Sequence, residues 1–425
     1  MHRVTFVMGN SWSDKCRTAQ LRPIDYQLAT TRSSFGTLAA FMLLSTVYAG
    51  FNLYKFHSLT EPERNRVWSQ YALFARLIVA GGVLGAAAWL SYMTSLSANF
   101  RAQKLYKDGP EFSFETTRTF GETYLWLGIY HIFEPLTFGC LTVSKLLVLD
   151  RMLKFNSRDI QDGAKTQLER FMKNGMRFLL FLNSCVVIAA WTSTGLWIQS
   201  YQLQNELADK YANKVLNPDA TAVQAMTASA RRSAVAYYAA ELVVLLALAS
   251  AFLVLGGLSI LRLTEVGKRL ASVSAHVVNN STPSSNSLIA HASSVHRSLW
   301  IRVVSTVCSV FCSFIIRCVY NAMYVASHQA SINPECQDFG NCAECQSKLY
   351  IISNWFVANH APHLAVSFPL TRILHCRMDF TPEFAASISL ISEPVTMLIA
   401  LWAMTTHTKY RAASVIEVSA SAPQG

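Results

Sequence analysis

FGETYLWLGIYHIFEPLTFGCLTVSKLLVLDR, residues 120–151, is the stretch on which the reading of the fold turns. It exceeds the ~20 predominantly apolar residues that cross a bilayer core, yet it carries His131 and Glu134 near its middle. A charged side chain at that depth costs roughly 2.5–3.5 kcal/mol on insertion scales, so an intramembrane carboxylate points to function. Pro135 follows directly, removes one backbone donor and predicts a kink at the carboxylate. The wording returns near the C-terminus: IFEPLTF at 132–138 is matched by ISEPVTM at 391–397, with a second predicted kink at Pro394.

Working outward, the chain of 425 residues is 52% hydrophobic and only 14% charged. A soluble domain would carry about a quarter charged residues. The apolar residues gather into seven runs of near-spanning length or more: 35–53, 71–96, 121–149, 175–199, 234–261, 299–326 and 384–404. The expected fold is therefore an all-α, polytopic seven-helix transmembrane bundle spanning 35–405, preceded by a polar basic segment (1–34) and followed by a disordered tail (406–425). The segment 350–370 is an eighth candidate. Its Asn354, Asn359, His360, Pro362, His363 and Pro369 make an interfacial or re-entrant path the better reading. The lipid bilayer is the first implied partner. The net charge of +11 is assigned to basic loops against anionic lipid rather than to nucleic acid, because no nucleic-acid motif accompanies it.

Basic residues are denser in the loops that follow the first, third and fifth runs. That places the N-terminus outside and the C-terminus in the cytoplasm. The Ser-rich stretch 264–298 then reads as a cytoplasmic loop, and 327–383 as an outer loop. Cys336, Cys342 and Cys345 of that loop, with Cys376, are candidates for disulfides, whose connectivity spacing does not fix. The sequons at Asn279 and Asn280 would lie on the inner side and argue the other way. Which membrane holds the chain is not written in it. No metal or cofactor motif and no nucleophile–base spacing is found, so an enzyme is not expected. In the second run, Gly81 and Gly85 form a small-xxx-small surface suited to close helix approach.

The remaining intramembrane charges can be placed by depth. At 1.5 Å per residue from the predicted outer ends, Glu241, Arg317 and Glu393 lie about 10–13 Å in, with Asn321 one turn from Arg317. Glu134 lies deeper, about 19 Å in, with His131 one turn above it. A layer of Glu241, Arg317 and Glu393 is expected, lining an outer-half cavity that binds a small ligand or ion. The bland alternative is that these residues only clip the helices together.

Leu149-Asp150-Arg151, at the proposed cytoplasmic end of the third run, resembles the acidic-Arg pair of rhodopsin-like G-protein-coupled receptors. The resemblance implies a receptor with a cytoplasmic signalling partner that couples through Asp150 and Arg151. The chain departs from that family in three places. It lacks a Cys at the outer start of the third run, Trp-x-Pro in the sixth and Asn-Pro-x-x-Tyr in the seventh. Read on its own, the pair is an ordinary interfacial stop. The repeated Glu-Pro motif supports a different class, a proton- or cation-linked transporter built as two parallel repeats. A scaffold without a ligand is the third expectation.

Overall fold

The computed structural model describes residues 24–59, 61, 70–108, 113–156, 162–213, 215, 219–278, 283–332, 389–396, 398, 399 and 401. Six helices account for nearly all of them: α1 (Ile24–His57), α2 (Tyr71–Asp108), α3 (Phe114–Asn156), α4 (Asp162–Ala212), α5 (Thr221–Val278) and α6 (Pro283–Ile332). A π-helical turn, Ile391–Val395, follows. No strand occurs among the described residues. All six helices are long and apolar enough to cross a membrane. The architecture is an all-α polytopic membrane bundle.

Successive helices pack side by side from α1 to α6. α3 also lies against α5, and the π-turn rests on both α6 and α1, which closes the ring. Contacts along the chain fix the directions. Tyr130 meets Tyr238, and Asn156 meets Ser259, so α3 and α5 run parallel. Glu241 meets Arg317, and Thr264 meets Trp300, so α6 runs antiparallel to them.

Many hydroxyl-bearing residues persist in these helices because they find a local partner. The hydroxyls of Thr94, Ser184 and Ser250 donate back to the carbonyls four residues earlier, leaving nothing unsatisfied toward lipid. Two helix starts are capped from the side chain. Ser113 Oγ accepts from the Thr116 amide at 3.1 Å, and Asp219 Oδ1 from the Thr221 amide at 2.9 Å. The second bond holds the Asp219 carboxyl below its ordinary range.

The distribution of polarity is inside out. Leu44, Val47, Phe181, Ile188, Val254 and Leu261 are exposed, while Glu134, Glu241 and Arg317 are buried. In water this arrangement would be costly. In a bilayer the exposed face is solvated by acyl chains and the charges by each other.

Two predicted boundaries differ. α1 starts at Ile24, within the segment read as a polar lead. The Ser-rich stretch 264–298 is helical through Val278 and again from Pro283, leaving only 279–282 outside the described residues. Alanine and leucine between the serines sustain the helix, and Pro283 occupies a first-turn position where its missing N–H is not needed. The predicted runs also begin late, since α3 starts at Phe114 and α5 at Thr221. The 384–404 run contributes the π-turn and its flanking residues. The eighth candidate 350–370, the tail 406–425 and Cys336, Cys342, Cys345 and Cys376 lie outside the described residues.

Close approach in the upper bundle depends on α2. A Cβ on Gly81 would stand 2.9 Å from Leu141 of α3, and one on Gly85 would stand 2.7 Å from Met42 of α1 and 3.2 Å from Thr137 of α3. The contact lets Phe35, Trp89, Tyr92 and Tyr130 stack across α1, α2 and α3, with Phe35–Trp89 centroids 5.6 Å apart. That aromatic column ends against the charged layer.

Candidate functional site

Glu134 lies 20 residues into α3, and Glu241 lies 20 residues into α5. Two parallel helices entering at the same level therefore deliver their carboxylates at the same depth, about 30 Å from their starts. From the antiparallel neighbour, Arg317 reaches between them, and Glu393 enters from the π-turn. Each guanidinium nitrogen meets a carboxylate from a different element. Nη2 lies 2.9 Å from Glu134 Oε1, Nε lies 3.1 Å from Glu241 Oε1, and Nη1 lies 3.3 Å from Glu393 Oε1. Arg317 Nη1 also donates to Ser389 Oγ at 3.4 Å. The planar, always-charged fork of arginine suits this division, which a lysine's single ammonium could not reproduce.

Glu134 therefore belongs to the same layer as Glu241, Arg317 and Glu393, and not to a deeper one. Helix starts inferred from hydropathy were one to several turns late, by different amounts in α3 and α5, and that false offset separated acids which in fact stand level. The second oxygen of Glu134 accepts a hydrogen bond from the Tyr237 hydroxyl. His131 does not reach Glu134 among the bonds present. Its ring lies edge-on to Tyr237 at 6.3 Å, and its Nδ1, though buried, has no hydrogen-bond partner.

The local backbone explains two further details. Pro135 has no N–H to give the carbonyl of His131, four residues back, yet α3 runs through it as one helix. At Pro394 the chain widens into a π-turn. There the carbonyl of Ser389, five residues back, accepts instead from the Ser392 hydroxyl at 3.4 Å. A π-turn beside a buried carboxylate is the kind of irregularity found at functional sites.

The charges do not balance. Arg317 opposes three carboxylates, and a second cation beside them is Lys145, whose Nζ stands 4.5 Å over the ring of Phe314, one turn from Arg317. Lys145 interacts electrostatically with Glu393. With all five groups ionised, one negative charge is left over in the bundle interior. Several polar atoms are also unpartnered there: Glu241 Oε2, Glu393 Oε2 and both amide atoms of Asn321, a residue with no exposed surface.

Asp150 stands 16 residues beyond Glu134 along α3, about 24 Å away. It pairs with Lys154 at 2.6 Å, an ordinary i,i+4 bridge at a helix end. Asp150 and Arg151 are thus remote from the charged layer. Among the described residues, no group of three His, Cys, Asp or Glu is placed to hold a metal ion.

Tyr130, Tyr237 and Ser389 were not singled out from the sequence. A signal for them exists, because each precedes one of the three acids by four residues and so shares its helical face. Comparison with known protein families, with characterised proteins and with solved structures finds no match for this chain. Fold and site together define a multi-pass integral membrane protein whose helices are tied through one internal arginine.

Proposed function

We propose that this protein is receptor-like: a small ligand reaching the charged layer competes for the carboxylates that hold Arg317, and the loosened α6 relays the change to the opposite end of the bundle. The observation that carries the reading is the clamp itself, one α6 side chain gripped by α3, α5 and the π-turn. Anything that draws a carboxylate away alters the hold on α6. The far ends of α3, α5 and α6, with Asp150 and Arg151 among them, would present the change to a partner.

The test uses spin labels at Val266 and Ile301, both exposed and next to the 3.3 Å Trp300–Thr264 bond. Glu134→Gln with Glu393→Gln leaves Arg317 only Glu241, and the label distance is expected to shift by about 2 Å or more. An unchanged distance distribution removes the receptor-like reading.

A second reading is favoured by one observation, the π-turn at Glu393–Pro394. Irregular backbone carrying a charge inside a bundle is how several transporters build ion sites. In a proton-linked transporter, Glu134→Gln and Glu393→Gln would each abolish proton flux into proteoliposomes loaded with a pH dye. A flux present and indifferent to both changes excludes it.

A further inference from the structure

We infer that the layer one turn beyond Arg317 binds a small primary ammonium bearing a neighbouring hydrogen-bond acceptor; this rests on the receptor-like reading for the site's place in the mechanism and adds the chemistry of its ligand. The helix directions define the layer. Asn321 follows Arg317 by one turn on α6, whereas Tyr130 and Tyr237 precede their acids by one turn on the oppositely directed α3 and α5. All three therefore fall on the same side of the charged plane. His131 stands beside Tyr130, with ring centroids 5.2 Å apart.

The unpartnered atoms in and beside this layer describe what is missing. Glu241 Oε2 and Asn321 Oδ1 are buried acceptors without donors, and Glu393 Oε2 has only the Trp89 indole N–H near it, with no hydrogen bond formed. A primary ammonium supplies three N–H donors and no acceptor. Its single positive charge is also the one that Arg317 and Lys145 leave uncompensated. Asn321 Nδ2 is a buried donor without an acceptor, which calls for an oxygen next to the amine, as in an amino alcohol. The tyrosine faces of Tyr130, Tyr237 and Tyr238 suit a cation as well.

Other occupants satisfy less. A lone proton bridges two carboxylate oxygens and leaves both Asn321 atoms unpaired. An alkali cation offers nothing to Asn321 Nδ2. A quaternary ammonium has the charge but no N–H. Leaving a buried polar group unpaired carries its full desolvation cost, so the occupant that pairs the most of these atoms is preferred.

The experiment measures thermal unfolding of the full chain in nanodiscs with ethanolamine, tetramethylammonium or sodium, as chloride salts at equal concentration and pH. Ethanolamine is expected to raise the melting temperature in a saturable way, while tetramethylammonium and sodium do not. Asn321→Leu replaces an unpaired amide by an apolar group of similar size, so this variant should fold at least as well as the native chain and lose the ethanolamine response. No ethanolamine shift, an equal shift with sodium or tetramethylammonium, or a full shift in Asn321→Leu each overturns the inference. Binding without any label movement between Val266 and Ile301 would sink the receptor-like reading alone. Label movement without binding would sink only the ligand class.

Discussion

Arg317→Met should abolish recovery of the folded protein. The substitution keeps an unbranched chain of similar length but leaves Glu134, Glu241 and Glu393 facing one another with no guanidinium between them. Breaking a buried ion pair by removing one partner typically costs about 3–5 kcal/mol. Here three acids lose their partner at once, against a total stability of about 5–15 kcal/mol. The measurement is the monodisperse fraction by fluorescence-detected size exclusion, with a melting curve on whatever is recovered. The companion variants separate charge from shape. Glu393→Gln alone should be far milder than Arg317→Met, since it removes a carboxylate from a site that has one too many. Combining Arg317→Met with Glu134→Gln, Glu241→Gln and Glu393→Gln should recover folded protein, because the three carboxylates that lost their guanidinium are gone and Lys145 is the one charge left at the layer. If the fourfold variant is no better than Arg317→Met, charge imbalance is not what holds these helices in place.

That layer was only half legible in the sequence. Charges inside apolar runs are conspicuous, and hydropathy therefore pointed to Glu134, Glu241, Arg317 and Glu393 together. It could not level them. Helices α3 and α5 continue beyond the hydrocarbon, with a satellite core of Tyr124, Trp197, Leu207, Val223 and Ala230. Hydropathy windows see only the apolar part of such helices. Counting from the ends of the windows gave Glu134 and Glu241 different depths, while counting from the true starts gives them the same one. Tyr237 takes its role from a neighbouring helix, through its bond to Glu134, which one helix's own pattern does not show. The Ser-rich 264–298 stretch misled in the opposite direction. Composition resembled a linker, but no glycine occurs in residues 269–332, and helical propensity carries the chain as far as Val278 and again from Pro283.

The second large effect is expected at Gly82→Val. This glycine, which faces α1, was not one of the pair singled out as a packing motif, yet it is the most confined of the three on its turn. A Cβ there would land on Thr46 Oγ1 and stand 3.0 Å from the carbonyl oxygen of Met42 and 3.3 Å from Thr46 Cβ. The hydroxyl is movable, although it is bonded to that same Met42 carbonyl at 3.0 Å. The carbonyl belongs to the helix backbone and is not. Overpacking a tight contact generally costs about 1–3 kcal/mol, and with backbone as the obstacle the cheaper response is for α1 to move away from α2. α1 is also one of the supports of the π-turn, so its displacement would withdraw Glu393 from Arg317. Gly82→Val should therefore lower both the melting temperature and the ethanolamine response. Gly257→Val, at a site where a Cβ meets nothing within 4 Å, should change neither. Gly82→Ala with Thr46→Ala removes the hydroxyl and leaves the contacts with the Met42 carbonyl and the residue-46 Cβ, so it should sit between the two. A Gly82→Val protein that melts and binds like the native chain would show that α1 tolerates displacement and does not support the charged layer.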